Sequence, residues 1–570
     1  MPESHPSGNG SATSAFTILD EPIDYARPLR VIIVGTGFGG LAAAYHVKKH
    51  TENVEFVLYE KNEDVGGTWY ENRYPGVACD VPAHVYQFTF EENTQWSKFY
   101  ADGPEILQYL RDVASKIGVK NQIKFKHEVT KAEWDESSGQ WSVTIRDLES
   151  DSTLTDTAHV VISATGSLNN RRDPEIEGKE KFKGKIVHTA SWDLEPAGES
   201  WKGRRVAVIG YGSSATQVVP ALQPYVSTID SYVRGKTWIF QPFIPVDQYP
   251  DGKTGNHVFS EEELRDFLTK DKYKEFRFNL EDACNTFYPL TLDGSAFQTE
   301  ARAGLEQAMK ARLASRPDIA ENLIPDFPVS CRRLTPGLGY LEALTAPNSQ
   351  FIPAEIKRMT EDGIETVDGT HRSYDVVIAA TGFDTSFKPR FPILGQGGVN
   401  LQDLWSDYPQ TYLGLCQDRF PNWFQVGGPN TGIAVGLLIP MLEKEAEYAA
   451  GCIRKIQYQR IKSMAVKKQA VQAFQTYVDA YFPRTIFTKN CPSWYKNGKP
   501  DGRVMGLWPG STLHHLRALE QPRYEDYEYT YIGSDQSDDP GNLLRWLGNG
   551  ITVAEVEAKP GTRAWYYPRV

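Results

Sequence analysis

Long apolar runs are missing from this 570-residue chain. The longest, residues 432–442, covers 11 positions, where a helix crossing a bilayer needs about 20. The N-terminus is polar and lacks the apolar core of a signal peptide. Cysteine is sparse. The six present, Cys79, Cys284, Cys331, Cys416, Cys452 and Cys491, form no CxxC and no cluster with histidine, so the spacing predicts neither a metal site nor a redox dithiol. A reducing, cytoplasmic setting is the expectation. Positive charge is not in excess either: the net charge is −12, which argues against a general nucleic-acid binder and leaves room for a local basic pocket. The length exceeds what one core organises, so two or three lobes are expected.

Glycine at particular spacings is what the chain does have. Residues 31–34 read as a buried strand, Gly35-Thr36-Gly37-Phe38-Gly39-Gly40 follows, and residues 41–50 read as a helix. This is a turn that sets a pyrophosphate on a helix N-terminus. Gly35 permits the tight turn, Gly37 the approach of backbone to phosphate, and Gly40 the packing of helix on strand. The next strand, 55–59, ends at Glu60, 25 positions after Gly35, where a carboxylate holds a ribose diol.

The pattern restarts downstream. Residues 205–209 are a strand, Gly210-Tyr211-Gly212-Ser213-Ser214-Ala215 is a second turn of the same kind, and the helix from 216 to 222 includes Gln217. Here the following strand ends at Arg234, 24 positions after Gly210, with Lys236 beside it. An arginine in that place suits a 2′-phosphate. The contrast predicts one diol-type dinucleotide, FAD, and one NADPH.

Between and around these units, 104–117 has helical periodicity, and 128–146 alternates like antiparallel strands about a Ser-Ser-Gly turn at 137–139. Residues 159–164 and 375–380 are apolar strands that each end in Ala-Thr-Gly, where the chain crosses between lobes. Residues 260–320 are charged and helical, with a cap at Ser260. A helix is expected over 431–457, after Gly427-Gly428-Pro429-Asn430, while the aromatic tail from Ser493 shows no period and no clear helix and is expected to wrap the surface or line the substrate entrance.

Two longer stretches carry a resemblance. Phe182-Lys183-Gly184 through His188 to Trp192-Asp193 matches FxGxxxHxxxW(P/D), and Gly66-Gly67-Thr68-Trp69 through Arg73-Tyr74-Pro75-Gly76 to Asp80 matches GGxWxxxR(F/Y)PGxxxD. With both nucleotide turns in order, the chain resembles the type I Baeyer–Villiger monooxygenases over about residues 29–530. Arg333 through Tyr340-Leu341 and Lys499 through Arg503 make it similar to the fungal cyclic-ketone and polyketide branch.

The resemblance implies an enzyme in which NADPH reduces FAD and a C4a-peroxyflavin converts a ketone to an ester or lactone. Anionic intermediates need a fixed cation. It implies Arg333 as that cation and Asp80 as its partner, both catalytic. Gly35, Gly37, Phe38, Gly40, Glu60, Gly67, Thr68, Trp69, Asp80 and Tyr86 would hold FAD. NADPH would be held by Gly210, Gly212, Ser213, Ser214, Gln217, Arg234, Arg332 and Trp494. Arg332 stands where the family commonly has lysine. His188 and Trp192 would couple lobe movement to NADPH rather than move protons.

The expected fold is α/β with two dinucleotide-binding, Rossmann-like domains and a helical insertion in the NADPH domain. Residues 1–27 form a flexible extension, 28–168 and 375–535 a discontinuous FAD domain, and 169–252 and 326–374 the NADPH domain. Residues 253–325 are the insertion and 536–570 a tail. The partners expected are a small ketone and O2, with no nucleic acid and no membrane span, and a monomer is favoured. An N- or S-oxidising monooxygenase on the same scaffold, or a non-enzymatic FAD/NADP-binding redox module, stays open. A flavin disulfide reductase is disfavoured, because Cys79 has no cysteine near it in sequence.

Overall fold

The computed structural model describes residues 18–240, 255–533, 542–558 and 562–566. Two five-stranded sheets, both wholly parallel, organise it. The first runs in the order Trp423–Gln425, Val160–Ser163, Leu29–Val34, Val54–Tyr59, Ile123–Lys124. Val31, Ile32 and Ile33 are fully buried, as the strand of a sheet covered on both faces requires. Its edge strand arrives from position 423, so this lobe is built from two distant parts of the chain. The helix Phe38–His50 packs against the 20-residue helix Ile439–Tyr458. Ala42, Ala43 and Ala44 on one helix and Ala446, Ala449 and Ala450 on the other are completely buried; with side chains this small, the two helices can lie close.

The second sheet runs Ser349–Ile352, Thr228–Tyr232, Arg205–Ile209, Val376–Ala379, Lys185–His188. The expected boundary at 375 is corrected here. Val376 pairs with Val206 and with Lys185, so Val376–Ala379 belongs to the second lobe and the chain leaves it afterwards, through Ala380-Thr381-Gly382. An apolar strand has no sheet of its own in sequence, and only pairing assigns it.

Smaller sheets complete the lobes. His127–Asp135 and Gln140–Asp147 form the expected hairpin, extended by Thr153–Ala158. Its turn is closed by Asp135, which accepts from Ser137 N and Oγ at 2.9 and 2.7 Å, with Gly139 at φ +68°.

Several expectations fail locally. The helix placed over 431–457 begins only at Ile439. Gly436 sits at φ +107° with its Cα against Thr512, and Pro440 stands in the first turn of the helix, where its missing N–H costs nothing. The tail from Ser493 does contain regular structure. Thr512–Ala518 is a helix capped by Ser511, and Tyr527–Tyr531 pairs antiparallel with Ile461–Val466. Of the extension read as flexible, residues 1–17 lie outside the described residues, but the rest is tied down. Arg27 donates to the Ile461 and Ile456 carbonyls at 2.6 and 3.4 Å, and Gln457 returns a bond to the Arg27 carbonyl at 2.8 Å. Residues 241–254 and parts of the 536–570 tail are also outside the described residues.

The helical insertion is present as Glu261–Phe267, Lys270–Asn285, Ala296–Arg312 and Pro317–Leu323. Ser260 and Glu263 form a complete capping box. The insertion touches both lobes rather than one. Arg277 pairs with Glu92 and Glu281 and donates to the Phe88 carbonyl, while Ala296–Arg312 packs near Tyr340–Leu344 of the second lobe. No helix among the described residues is long and apolar enough to cross a membrane.

Candidate active site

A cleft of about 1370 Å³ lies between the two sheets, where both glycine turns meet. The turns are built alike. Gly35 has φ +101°, and a Cβ there would stand 2.6 Å from the Ala164 carbonyl oxygen; Gly210 has φ +132°, and its Cβ would stand 2.3 Å from that of Ala380. Each turn is thus pressed against one of the two Ala-Thr-Gly crossings. A Cβ on Gly40 would meet the Gly35 oxygen at 2.0 Å, which is the tight helix–strand contact the spacing implies.

The space in front of each turn fits a dinucleotide pyrophosphate. The Gly37 and Gly67 backbones face each other, with Cβ positions 3.6 and 3.1 Å from the opposing Cα. Gly212 has nothing within 4 Å of its Cβ position. The helices Phe38–His50 and Ser213–Leu222 present their N-termini there. Glu60 is buried at the end of its strand. Its Oε2 accepts from Thr36 N and Oγ1 at 2.9 and 2.8 Å, and its Oε1 from Asn62 N at 2.9 Å, leaving lone pairs for a diol. Phe38 packs on Tyr86 and Phe88 at 5.1 Å, and Trp69 meets Tyr86 edge-on at 5.7 Å. Phe38, Thr68, Trp69 and Tyr86 all line the cleft.

On the second lobe Ser213, Ser214, Arg234, Arg332 and Trp494 line the same cleft. Ser213 Oγ lies 3.3 Å from Thr335 Oγ1. Arg332 donates to the Lys236 carbonyl at 3.2 Å and lies 4.6 Å over the Tyr211 ring. Arg332 and Arg234 thus put two guanidinium groups on the wall of one cleft, although the chain as a whole is acidic. Trp494 packs over Gly506 and Gly432.

Asp80 and Arg333 meet. Arg333 Nε and Nη2 each donate at 2.9 Å to the two carboxylate oxygens, and Nη1 donates to the Ala434 carbonyl at 3.0 Å. Burial opposes the charge on Arg333, but the Asp80 carboxylate outweighs it and pushes the guanidinium pKa above its ordinary value. The cation is permanent and both faces of its fork are fixed. Burial pushes the neighbouring Cys79 thiol and Tyr495 phenol up, so these stay neutral beside it.

His188 and Trp192 lie off the cleft wall. The His188 ring accepts from Ala190 N at 3.0 Å and burial pushes its pKa down; Trp192 stacks on Trp201 at 5.8 Å. Gln217 reaches the cleft, but both ends of its amide are engaged: it accepts from Tyr74 Oη at 2.6 Å and donates to the Ala78 carbonyl at 2.9 Å. It therefore bolts the second lobe to the loop that carries Asp80. Sequence reasoning missed this bridge and the Tyr211 platform; each needs a partner more than 100 residues away.

Two findings touch the cysteine and metal expectations. Cys331 and Cys491 form a disulfide across 160 positions, while Cys79, Cys284, Cys416 and Cys452 are buried and free. The absence of closely spaced cysteines hid a pair that only folding brings together. Among the described residues His46, His50 and Glu447 bring ligand atoms within 4.8 Å of one another. Glu447, however, pairs with Lys444 at 2.5 Å, and Lys49 and Arg454 add positive charge at His50, a field that opposes a divalent cation.

The chain has known relatives. Residues 33–102 match the NAD(P)-binding Rossmann-like domain family, and 83–280 match the L-lysine 6-monooxygenase/L-ornithine 5-monooxygenase family. The FAD-binding monooxygenase tazF of Aspergillus terreus is 40% identical over 547 residues, covering 95% of this chain and 94% of its own. A Baeyer-Villiger monooxygenase of Pseudomonas aeruginosa is 32% identical over 520 residues, covering 90% and 93%. The crystal structure of cyclohexanone monooxygenase from Rhodococcus sp. Phi1 bound to NADP+ superposes with a TM-score of 0.75 at 25% identity, over 89% of this chain and 100% of that one. Identity of this extent over nearly the whole length places the chain in the Baeyer–Villiger-type FAD-binding monooxygenases.

Proposed function

We propose that the chain inserts one oxygen atom of O2 beside a ketone carbonyl. Ketone, O2, NADPH and a proton give an ester or lactone, NADP+ and water. The observation that carries this is the Arg333–Asp80 fork on the wall of the cleft shared by both nucleotide turns.

FAD, when bound, supplies oxygen activation, and NADPH supplies the hydride. The residues of the chain do the rest. The Gly35–Gly40 turn, Gly67 and Glu60 hold the first dinucleotide. Gly210, Gly212, Ser213, Arg234 and Arg332 hold the second, with Arg234 and Arg332 taking the 2′-phosphate. Arg333 offers donors and charge where negative charge gathers on the substrate oxygen, and Asp80 keeps that fork from turning away. The contact of Gln217 with Tyr74 and the Ala78 carbonyl ties the second lobe to the loop that carries Asp80. Among the described residues, 28–168 and 380–533 form the FAD unit, and 169–240 and 326–379 form the NADPH unit.

The match of residues 83–280 to a lysine and ornithine monooxygenase family favours a second reading, oxidation of an amine or sulfide in the same cleft. Turnover under 18O2 with separate panels of cyclic ketones, amines and sulfides decides between them. One labelled oxygen in a lactone supports the proposal. Label only in hydroxylamine or sulfoxide, or hydrogen peroxide alone, overturns it.

A further inference from the structure

The Cys331–Cys491 disulfide joins two segments that both reach the cleft. Cys331 immediately precedes Arg332 and Arg333, and Cys491 stands three residues before Trp494. Neither segment is held by a helix or a strand at that point. Cys331 lies in irregular chain between the helix Pro317–Leu323 and the strand Thr335–Pro336, and Cys491 between two short turns, Ile486–Thr488 and Trp494–Lys496. Ser330, fully buried, is held at φ +70°, and the Trp494 turn ends on Asn497 and Gly498 at φ +53° and +76°. Left-handed backbone at a serine persists only where its surroundings impose it.

The rest of the wall hangs on the same tie. Arg333 donates to the Ala434 carbonyl, and the adjoining residues Asn430 and Gly432 donate to the Met505 and Gly506 carbonyls at 2.7 and 2.9 Å. Met505 and Gly506 in turn donate to Tyr495. Arg333, the 430–434 stretch and the Trp494 turn so form one hydrogen-bonded layer, with the cystine as its only covalent cross-tie among the described residues. Both cysteines are fully buried, yet Cys491 is flanked by exposed Thr488, Lys489, Asn490 and Pro492. Local opening of that short stretch uncovers its sulfur without unfolding either sheet.

We propose that the Cys331–Cys491 pair is a thiol-controlled positioning device. The disulfide fixes Arg332, Arg333 and Trp494 against one another, and the dithiol releases the 489–498 segment and loosens NADP binding. The proposal rests on the reading of Arg332 and Trp494 as nucleotide contacts. The step is ordinary exchange with a small dithiol. Its thiolate attacks the Cys491 sulfur, the S–S bond breaks, and Cys331 leaves as thiolate and takes a proton. The second thiol of the reductant then displaces Cys491. The chain gains two electrons and two protons, and the reductant becomes a cyclic disulfide.

The test uses the full-length, FAD-loaded protein, untreated, reduced with dithiothreitol, and reoxidised with oxidised glutathione. Ellman titration in denaturant counts thiols, hydrogen exchange follows residues 489–498, and calorimetry measures NADP+ affinity. Expected are four thiols before reduction, matching the four free cysteines, and six after. On reduction, exchange over 489–498 quickens and NADP+ affinity falls about tenfold, a coupling of ordinary size, and both return on reoxidation. The Cys331→Ser/Cys491→Ser double variant should behave as the reduced form and ignore dithiothreitol. Six thiols before any treatment overturn the proposal, as do unchanged exchange and affinity at six thiols. If the double variant does not fold, the reduction–reoxidation cycle of the natural chain decides. If NADP+ binds neither form, the reading of the nucleotide site fails, and the exchange of 489–498 alone decides the clamp. Normal redox-dependent NADP+ binding without ketone oxygenation sinks the proposed reaction and leaves the clamp standing.

Discussion

Asp80 and Arg333, 253 positions apart in sequence, meet in a two-pronged ion pair with both N···O distances at 2.9 Å. A pair of this geometry fixes direction as well as charge. Replacing Arg333 by Ala should lower ketone oxygenation by about 10²–10³-fold, the usual cost of a donor at a developing oxyanion, while FAD content stays normal. Lysine at 333 restores charge but not the fork and should recover part of the rate. Product formation near the natural rate in the Ala variant would remove Arg333 from the reaction.

Asp80→Ala tests the other half. It leaves a guanidinium that keeps only 20% of its side-chain exposure without its carboxylate. Because both partners still touch solvent, the loss of stability should lie at the low end for a broken buried pair, about 3 kcal/mol. Thermal or urea unfolding reads that loss, and a rate measurement should show activity falling further than stability explains.

The two nucleotide turns make opposite predictions for the same small change. Gly40→Ala places a methyl 2.0 Å from the Gly35 oxygen and should destabilise the chain by about 1–3 kcal/mol, with FAD lost on desalting. Gly212 has φ −88° and open space around its Cβ position. Gly212→Ala should therefore leave the unfolding midpoint unchanged and raise only the KM for NADPH. Equal loss of stability in both variants would contradict the geometry.

Arg234 carries the choice of nucleotide. Its replacement by Ala should raise the KM for NADPH about ten- to a hundredfold, the worth of one charge-assisted hydrogen bond, and leave that for NADH nearly unchanged. Parallel loss with both nucleotides would refute the 2′-phosphate role.

His84 predicts an acid limit to stability. It is buried among Phe259, Phe267 and Phe276, and burial, aided by Arg277, pushes its pKa down to about 3 from 6.5. The folded state then binds fewer protons than the unfolded state between those values. Its contribution is complete above about pH 6.5 and is lost as pH falls, at about 1.4 kcal/mol per pH unit from this group. The buried His46 and half-buried His159, also pushed down to about 4, add to the slope, so denaturant titrations between pH 7.5 and 4 should show a total slope that His84→Phe lowers by the share of this one group.

The sequence determined by itself whatever depends on neighbours along the chain. Gly35, Gly37 and Gly40, the acid at Glu60, the repeat at Gly210 with Arg234, and the hairpin about 137–139 were all legible, because turn geometry and strand alternation are local. The long signatures ending at Asp80 and spanning His188 to Trp192 pointed to the family through resemblance. Tertiary structure decided the rest. Val376–Ala379 reads as an apolar strand, but only its pairing with Arg205–Ile209 assigns it to the second lobe. The helix expected from 431 starts at Ile439 because the backbone at Gly436 is pressed against Thr512, 76 positions later. The Gln217 bridge to Tyr74 and the Cys331–Cys491 bond join groups 143 and 160 positions apart. No spacing rule reaches such distances, since contacts of this kind exist only once both lobes have folded and closed on one another.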